Sequence, residues 1–125
     1  MAATELAREI STGVTFWVCE NNDEIVGVMG MQAVRDVDLI RHAYVLPQHQ
    51  RGGIGAALIE HLRLQSSRRM LVGTWEAATW AIAFYRRHGF ELVDAATKLA
   101  MLKAYWSIPQ RQVATSVVLA SPAQP

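Results

Sequence analysis

The chain has 125 residues, 51% hydrophobic and 18% charged, the size and composition of one globular domain rather than a disordered, collagenous or multidomain protein. Twelve Lys and Arg against eleven Asp and Glu leave a formal charge of +1, which implies no basic surface for nucleic acid or anionic lipid. The single cysteine, Cys19, excludes an intrachain disulfide framework and a Cys-rich zinc site.

In chain order, residues 2–10 place Leu6 and Ile10 on one face of a short amphipathic helix closed by Ser11-Thr12-Gly13. Residues 14–20 are rich in β-branched and aromatic types and read as a strand, with Cys19 buried in it. The turn cluster Asn21-Asn22-Asp23-Glu24 leads into a second strand over 25–34, so the two form an antiparallel hairpin. Arg35-Asp36 interrupts the pattern, and residues 37–46 make a third strand ended by Pro47, which cannot donate to a ladder. From 54 to 65 the apolar positions Ile54, Ala57, Leu58 and Leu62 recur at helical spacing. Residues 70–75 are a short apolar strand. A helix over 77–88 then shares one side among Trp80, Ala81, Phe84, Tyr85 and His88, with Gly89 where a positive φ ends a helix. This strand, helix, strand, helix order makes strands 37–46 and 70–75 parallel neighbours in a mixed sheet. A strand over 90–93 follows, then a helix over 95–106 carrying Leu99, Leu102 and Trp106 and stopped by Pro109. Residues 111–120 read as a last strand with Val113, Thr115, Val117 and Leu119 on one face, and 121–125 as a frayed tail. Trp75, Trp80 and Trp106 are expected in the core, although Trp75, near a strand end, could instead face an aromatic or apolar substrate. No linker divides the chain, so the expectation is one α/β domain over 1–125.

The longest nearly apolar stretch, residues 77–85, is far short of the ~20 residues a membrane-spanning helix needs. Glu5, Arg8 and Glu9 make the first ten residues a poor secretory signal, so a cytoplasmic protein is expected.

The segment that carries chemistry is Val45-Leu46-Pro47-Gln48-His49-Gln50-Arg51-Gly52-Gly53-Ile54-Gly55-Ala56. Three glycines within four residues, between a strand end and a helix start, let the backbone approach a ligand closely and aim its N–H groups outward. Those amides and the helix dipole suit phosphate or pyrophosphate, to which Arg51 adds a charge-assisted contact. The same glycines would also serve a tight turn and nothing more. The spacing is neither the dinucleotide G-x-G-x-x-G nor the Walker G-x-x-x-x-G-K-[ST].

Gln50-Arg51-Gly52-Gly53-Ile54-Gly55 resembles the Q/R-x-x-G-x-G/A motif of the GNAT superfamily of N-acetyltransferases, and Val45-Leu46-Pro47 resembles that family's preceding strand end. A second segment, Ala81-Ile82-Ala83-Phe84-Tyr85-Arg86-Arg87-His88-Gly89-Phe90, is similar to the family's A-x-x-F-Y-x-x-x-G-F block, in the same order along the chain. The resemblance covers roughly residues 14–120. It implies a splayed mixed sheet flanked by helices and acetyl-CoA as co-substrate. The pantetheine arm would pair with backbone near Tyr44 and Val45. The pyrophosphate would rest on the loop Gln50, Arg51, Gly52, Gly53, Ile54, Gly55 and Ala56, with Phe84 and Tyr85 of the second block also at the cofactor. It further implies direct transfer to a primary amine of a small molecule or peptide in a ternary complex, with a backbone N–H near Val45 as oxyanion donor. Tyr85 falls where family members often have a tyrosine that protonates the departing thiolate; its alternative is a helix residue packed on the sheet.

Two positions depart from the pattern. Ala78 stands where the family commonly has Asn. Residues 1–13 are all that precede the first strand, where family members have a strand and two helices walling the acceptor site. That leaves strand 14–20, with Phe16, Trp17 and Val18, at an unprotected sheet edge, which implies cover by a second subunit and hence a homodimer; a truncated gene is the rival explanation.

Attack on the thioester needs a neutral amine, so a base is sought. Glu76, at the carboxyl end of strand 70–75, is the first candidate, its alternative being an interaction with the dipole of the following helix. His42, on strand 37–46, is the second, its alternative being a hydrogen-bonded strand histidine. Asp38 shares its parity but lies too far along the strand to form a fixed pair with it. His49, His61 and His88 show no metal-ligand spacing. The expected activity is acetyl-CoA-dependent N-acetyl transfer; a CoA-binding regulatory module without turnover, or an interaction domain that binds no cofactor, stands beside it.

Overall fold

The computed structural model describes residues 13–122. The helix expected over 2–10, and the expected tail at 123–125, lie outside the described residues. The chain divides into two compact units, one of residues up to Ala33 with Asp38–Ser67, the other of Val34–Val37 with Arg68 onward.

In the first unit, β1 (Val14–Asn21), β2 (Glu24–Val34) and β3 (Val37–Val45) lie side by side in that order. β1 and β2 are antiparallel, with Val14 opposite Gln32 and Asn21 opposite Glu24. Asn22 and Asp23, at φ 54° and 65°, form the two-residue turn between them; both residue types tolerate the left-handed region that a tight hairpin of matching twist requires. The register slips between Cys19 and Glu20, a bulge that leaves Val26 without an opposite number. A 3₁₀ turn, Pro47–His49, follows β3, and then α1 (Ile54–Gln65), which lies against β1 and buries Leu58, Ile59 and Leu62. Full burial of Ile59 and Leu62 stabilises this packing by about 2–3 kcal/mol each. Four successive β3 residues, Val37, Asp38, Leu39 and Ile40, are buried, so this half of the strand is covered on both faces. Asp38 is accommodated there by a hydrogen bond from the Ser66 hydroxyl at 2.6 Å.

The second unit holds β4 (Arg69–Trp75), α2 (Thr79–Arg87), β5 (Glu91–Leu92), α3 (Ala95–Tyr105), α4 (Gln110–Val113) and β6 (Ser116–Ala120). β6 lies between β4 and β5 and is antiparallel to both, with Leu71 and Glu91 each opposite Ala120. Met70, Leu71, Phe90, Leu102, Val118 and Leu119 form its core. Asp94 caps α3 by accepting from the Thr97 amide at 2.7 Å, which holds its carboxyl below the usual range. The Tyr105 hydroxyl donates to Asp36 at 2.7 Å, lowering the pKa of the acid and raising that of the phenol.

The structure corrects several expectations. The strand read over 111–120 is α4 followed by the shorter β6. Pro109 enters α4 with φ −59°, and the hydroxyls of Thr115 and Ser116 donate to the Gln112 carbonyl at 3.3 and 2.7 Å, completing a helical end instead of a ladder. β6 shows no alternation, because Val118, Leu119 and Ala120 are all buried. The helix read over 77–88 begins at Thr79, with Ala78 buried before it. Trp80 is 74% exposed, since it sits ~140° around α2 from the buried Tyr85. Trp75 is 53% exposed, Trp106 is half-buried, and Cys19 is half-buried on its edge strand. Ser121 belongs to the fold and not to a frayed tail: its hydroxyl accepts from the Met70 amide at 2.9 Å, and its carbonyl accepts from Arg69.

Candidate functional site

The glycine-rich loop has the geometry of an anion cradle. After the 3₁₀ turn the chain passes through Arg51 at φ 70° and Gly53 at φ 84°, both left-handed, and enters α1 with Gly53 as its N-cap. No side chain caps this helix, and no acid lies in its first turn. Ala57 makes the first helical bond, to Gly53, so the amides of Ile54, Gly55 and Ala56 precede the ladder. A Cβ on Gly53 would meet nothing within 4 Å, so the cradle is open there, whereas one on Gly52 would approach the His49 carbonyl to 3.3 Å. Arg51 is exposed beside these amides, held in a conformation costing a non-glycine residue about 1–2 kcal/mol. An oxygen-rich anion of high charge fits this donor set.

The position of the cradle depends on β2. A Cβ on Gly27 would lie 2.7 Å from Ile54 Cγ2 and 3.2 Å from Leu58 Cδ1, so only glycine lets the first turn of α1 rest directly on the strand. Gln50 ties the loop back to β3, its side-chain amide donating to the Val45 carbonyl at 3.1 Å.

Within β3 the run of buried residues ends at Ile40, and His42 has a φ of 53°, rare for a non-glycine strand residue. His42, Ala43 and the 55%-exposed Tyr44 all follow as exposed positions. His42 is exposed where Asp38 is buried, and its ring stacks on Phe16 with centroids 6.0 Å apart. No periodicity signals this feature, because it is a single backbone torsion.

In the second unit Tyr85 is 6% exposed, its ring edge-on to Phe84 at 5.1 Å and to Phe90 at 5.6 Å. Burial pushes its phenol up to about 12. Glu76 follows Trp75 at the carboxyl end of β4, with an exposed side chain and a backbone amide donating to the Thr115 carbonyl at 2.8 Å. Ala78 offers no capping side chain to α2. Thus Val45, Gln50, Arg51, Gly52, Gly53, Ile54, Gly55 and Ala56 come together in the first unit, while Glu76, Phe84 and Tyr85 belong to the second. A feature missed in the sequence is a groove of about 220 Å³ beside β4, bordered by Trp75, Trp106 and Ile108; reading 111–120 as a strand concealed the turn of helix that helps to enclose it. Among the described residues no group of three or more His, Cys, Asp or Glu is placed to hold a metal ion, and no helix is long and apolar enough to cross a membrane.

Residues 12–92 match the sequence pattern of the acetyltransferase (GNAT) domain. The chain is 30% identical over 89 residues to N-acetyltransferase 8 of Homo sapiens, a match covering 63% of this chain and 39% of that protein. It is 28% identical over 98 residues to peptidyl-lysine N-acetyltransferase YiaC of Escherichia coli strain K12, covering 75% of this chain and 64% of that one. The chain thus spans less than two thirds of the length of either relative. Its fold is shared with a GNAT family acetyltransferase from Elizabethkingia anophelis solved with acetyl-CoA bound, with TM-score 0.71, 18% identity, and 96% of this chain and 82% of that chain covered.

Proposed function

The chain belongs to the GNAT acetyltransferase family, and from that membership we propose that it transfers the acetyl group of acetyl-CoA to a primary amine by direct attack within a ternary complex. The observation that carries this reading is the start of α1, which has no side-chain cap and no acid in its first turn and follows the exposed Arg51. Bound there, acetyl-CoA supplies an activated thioester. The amides of Ile54, Gly55 and Ala56 hold its pyrophosphate with Arg51, and backbone groups at Tyr44 and Val45 align the pantetheine arm. The Val45 N–H stabilises the oxyanion.

Overall, the amine nitrogen forms a C–N bond to the acetyl carbon, the C–S bond breaks with its electron pair on sulfur, and one proton passes from nitrogen to sulfur. Glu76 is the first choice for removing the amine proton, because its carboxylate is exposed at the carboxyl end of β4; His42 is the second. Tyr85 serves the departing sulfur as a donor. A phenol at about 12 faces a thiol of ordinary value near 8.5, so complete proton transfer is uphill by about 5 kcal/mol. Tyr85 therefore acts by hydrogen bonding as charge develops on sulfur, with solvent supplying the final proton.

The same reading carries a cytoplasmic homodimer paired through β1, where Val18 is 48% exposed. A CoA-binding module without turnover is the second reading, favoured by the apolar Ala78 and the deep burial of Tyr85.

Thermal unfolding with added acetyl-CoA or CoA tests the proposal, since ligand at about 100 times its Kd adds about 2.7 kcal/mol of stability. A saturable shift that disappears in Gly53→Val supports the cradle, and CoA release with an amine panel supports transfer. Absence of a shift at millimolar acetyl-CoA overturns both readings; a shift without CoA release from any amine favours the second.

A further inference from the structure

The excursion between β5 and β6, residues 93–115, carries α3 and α4 and lies outside the segment that matches the family pattern. With the end of β4 it encloses the groove of about 220 Å³. The walls are Trp75 from the strand, Leu102 and Trp106 from the α3 end, and Ile108 beyond it, while Thr74, Ser116 and Gln112 add two hydroxyls and one amide, the Ser116 hydroxyl already donating to the Gln112 carbonyl. The Trp106 indole lies over Gly73, where a Cβ would touch its Cζ2 at 3.4 Å, an ordinary van der Waals contact.

Three properties select an occupant. The volume is below the ~300–1,000 Å³ typical of drug-sized ligands, which suits a single ring system. Two tryptophans offer flat apolar walls, and Trp75 already leaves half of its surface in water. No charged side chain lines the groove, so a polyamine or a run of lysines would find no carboxylate within it. Glu76, the next residue along the chain, does not line the groove, so an ammonium group on the occupant stays outside its apolar walls.

We propose that this groove seats the apolar body of the acetyl acceptor, and that the acceptor is a primary arylalkylamine with one ammonium group. The assignment rests on the acetyl-transfer reading above and adds its substrate class. The groove recognises the ring, and the amine nitrogen remains the atom that forms the C–N bond while the C–S bond of the thioester breaks.

The test is calorimetric titration of the whole protein with phenethylamine, spermidine and a lysine-containing peptide, with and without CoA, beside steady-state acetylation of the same three. Phenethylamine is expected to bind saturably and spermidine not to. Trp75→Ala, at a side chain exposed enough to be removed without unfolding, is expected to weaken phenethylamine binding and raise its KM about tenfold, with the KM for acetyl-CoA unchanged. Trp75→Phe is expected to restore most of the loss. Equal phenethylamine binding by Trp75→Ala, or preferred acetylation of spermidine or the lysine peptide, overturns the proposal. Trp75-dependent phenethylamine binding without any acetyl-CoA binding would keep the groove and remove the transfer reading. Acetyl-CoA binding without phenethylamine binding would do the reverse.

Discussion

The Gln50 side-chain amide donates to the Val45 carbonyl at 3.1 Å, so the cradle loop holds one of the backbone groups that a pantetheine arm would use at the end of β3. The bond is solvent-exposed, and such bonds contribute about 0.5–1.5 kcal/mol net. It is weak enough to yield to a ligand and strong enough to be measured.

Gln50→Ala removes that competitor. The variant is expected to stay within about 1 kcal/mol of the parent in stability and to bind acetyl-CoA about 2- to 10-fold more tightly. Adenosine 3′,5′-bisphosphate, which lacks the pantetheine arm, is expected to bind both proteins equally. Weaker acetyl-CoA binding by the variant would assign Gln50 to holding the loop.

Tyr85 sets a pH dependence at the alkaline end. Its phenol lies at about 12 in the fold against 10.0 in the unfolded chain, so the folded state holds the proton longer. The contribution is fully present below pH 10 and is lost as pH rises through about 12, amounting to about 2–3 kcal/mol. Urea denaturation across this window is expected to show a stability decline that Tyr85→Phe flattens. In acetyl transfer the same variant is expected to lower kcat by about 10- to 1,000-fold with the KM for acetyl-CoA little changed.

Gly27→Ala tests the seating of α1. The new methyl group would meet Ile54 Cγ2 at 2.7 Å, an overlap whose relief costs about 1–3 kcal/mol. The expected result is a lower melting temperature together with weaker acetyl-CoA binding, because the displaced first turn carries the cradle amides. Adding Ile54→Ala removes the clashing atom and is expected to recover part of both losses.

Val18→Lys tests the β1 edge. If two copies pair there, a lysine on each edge introduces like charges and a costly desolvation. Light scattering at micromolar concentration is expected to show a dimer for the parent and a monomer for the variant. A monomeric parent would remove the homodimer from the reading.

Local chemistry announced much of this in the sequence. The Asn22-Asp23 turn, the helix of Ile54, Leu58 and Leu62, and the positive φ of Gly89 each follow from residue type and spacing, and each stands in the structure. The Gly53 turn was legible because φ 84° calls for glycine. Tyr85 was legible as a position and, in its alternative, as a helix residue packed on the sheet; the edge-on contacts of its ring with Phe84 and Phe90 were not, because they depend on how the neighbouring rings settle. His42 has a torsion that its residue type does not demand, so nothing in the pattern exposed it. In the 111–120 segment the alternating residues suggest a strand and Pro109 only the stop of the helix before it, whereas in the fold Pro109 opens α4 and two hydroxyls on the Gln112 carbonyl end it. The groove was hidden for the same reason.

The place of β6 between β4 and β5 bears on how the polypeptide emerges from the ribosome. Of the six described strands it is translated last, yet β5, at the end of the strand order, has no other neighbour, and β4 pairs with it from Leu71 to Trp75. Until Ser116–Ala120 have left the exit tunnel, β4 and β5 have no partner in their own unit, and the backbone N–H and C=O groups of Leu71 to Trp75 that pair with β6 stand along an open edge. Nascent chains stalled before Ser116 should therefore bind chaperones and resist native folding, even though every residue of the cradle has already been made.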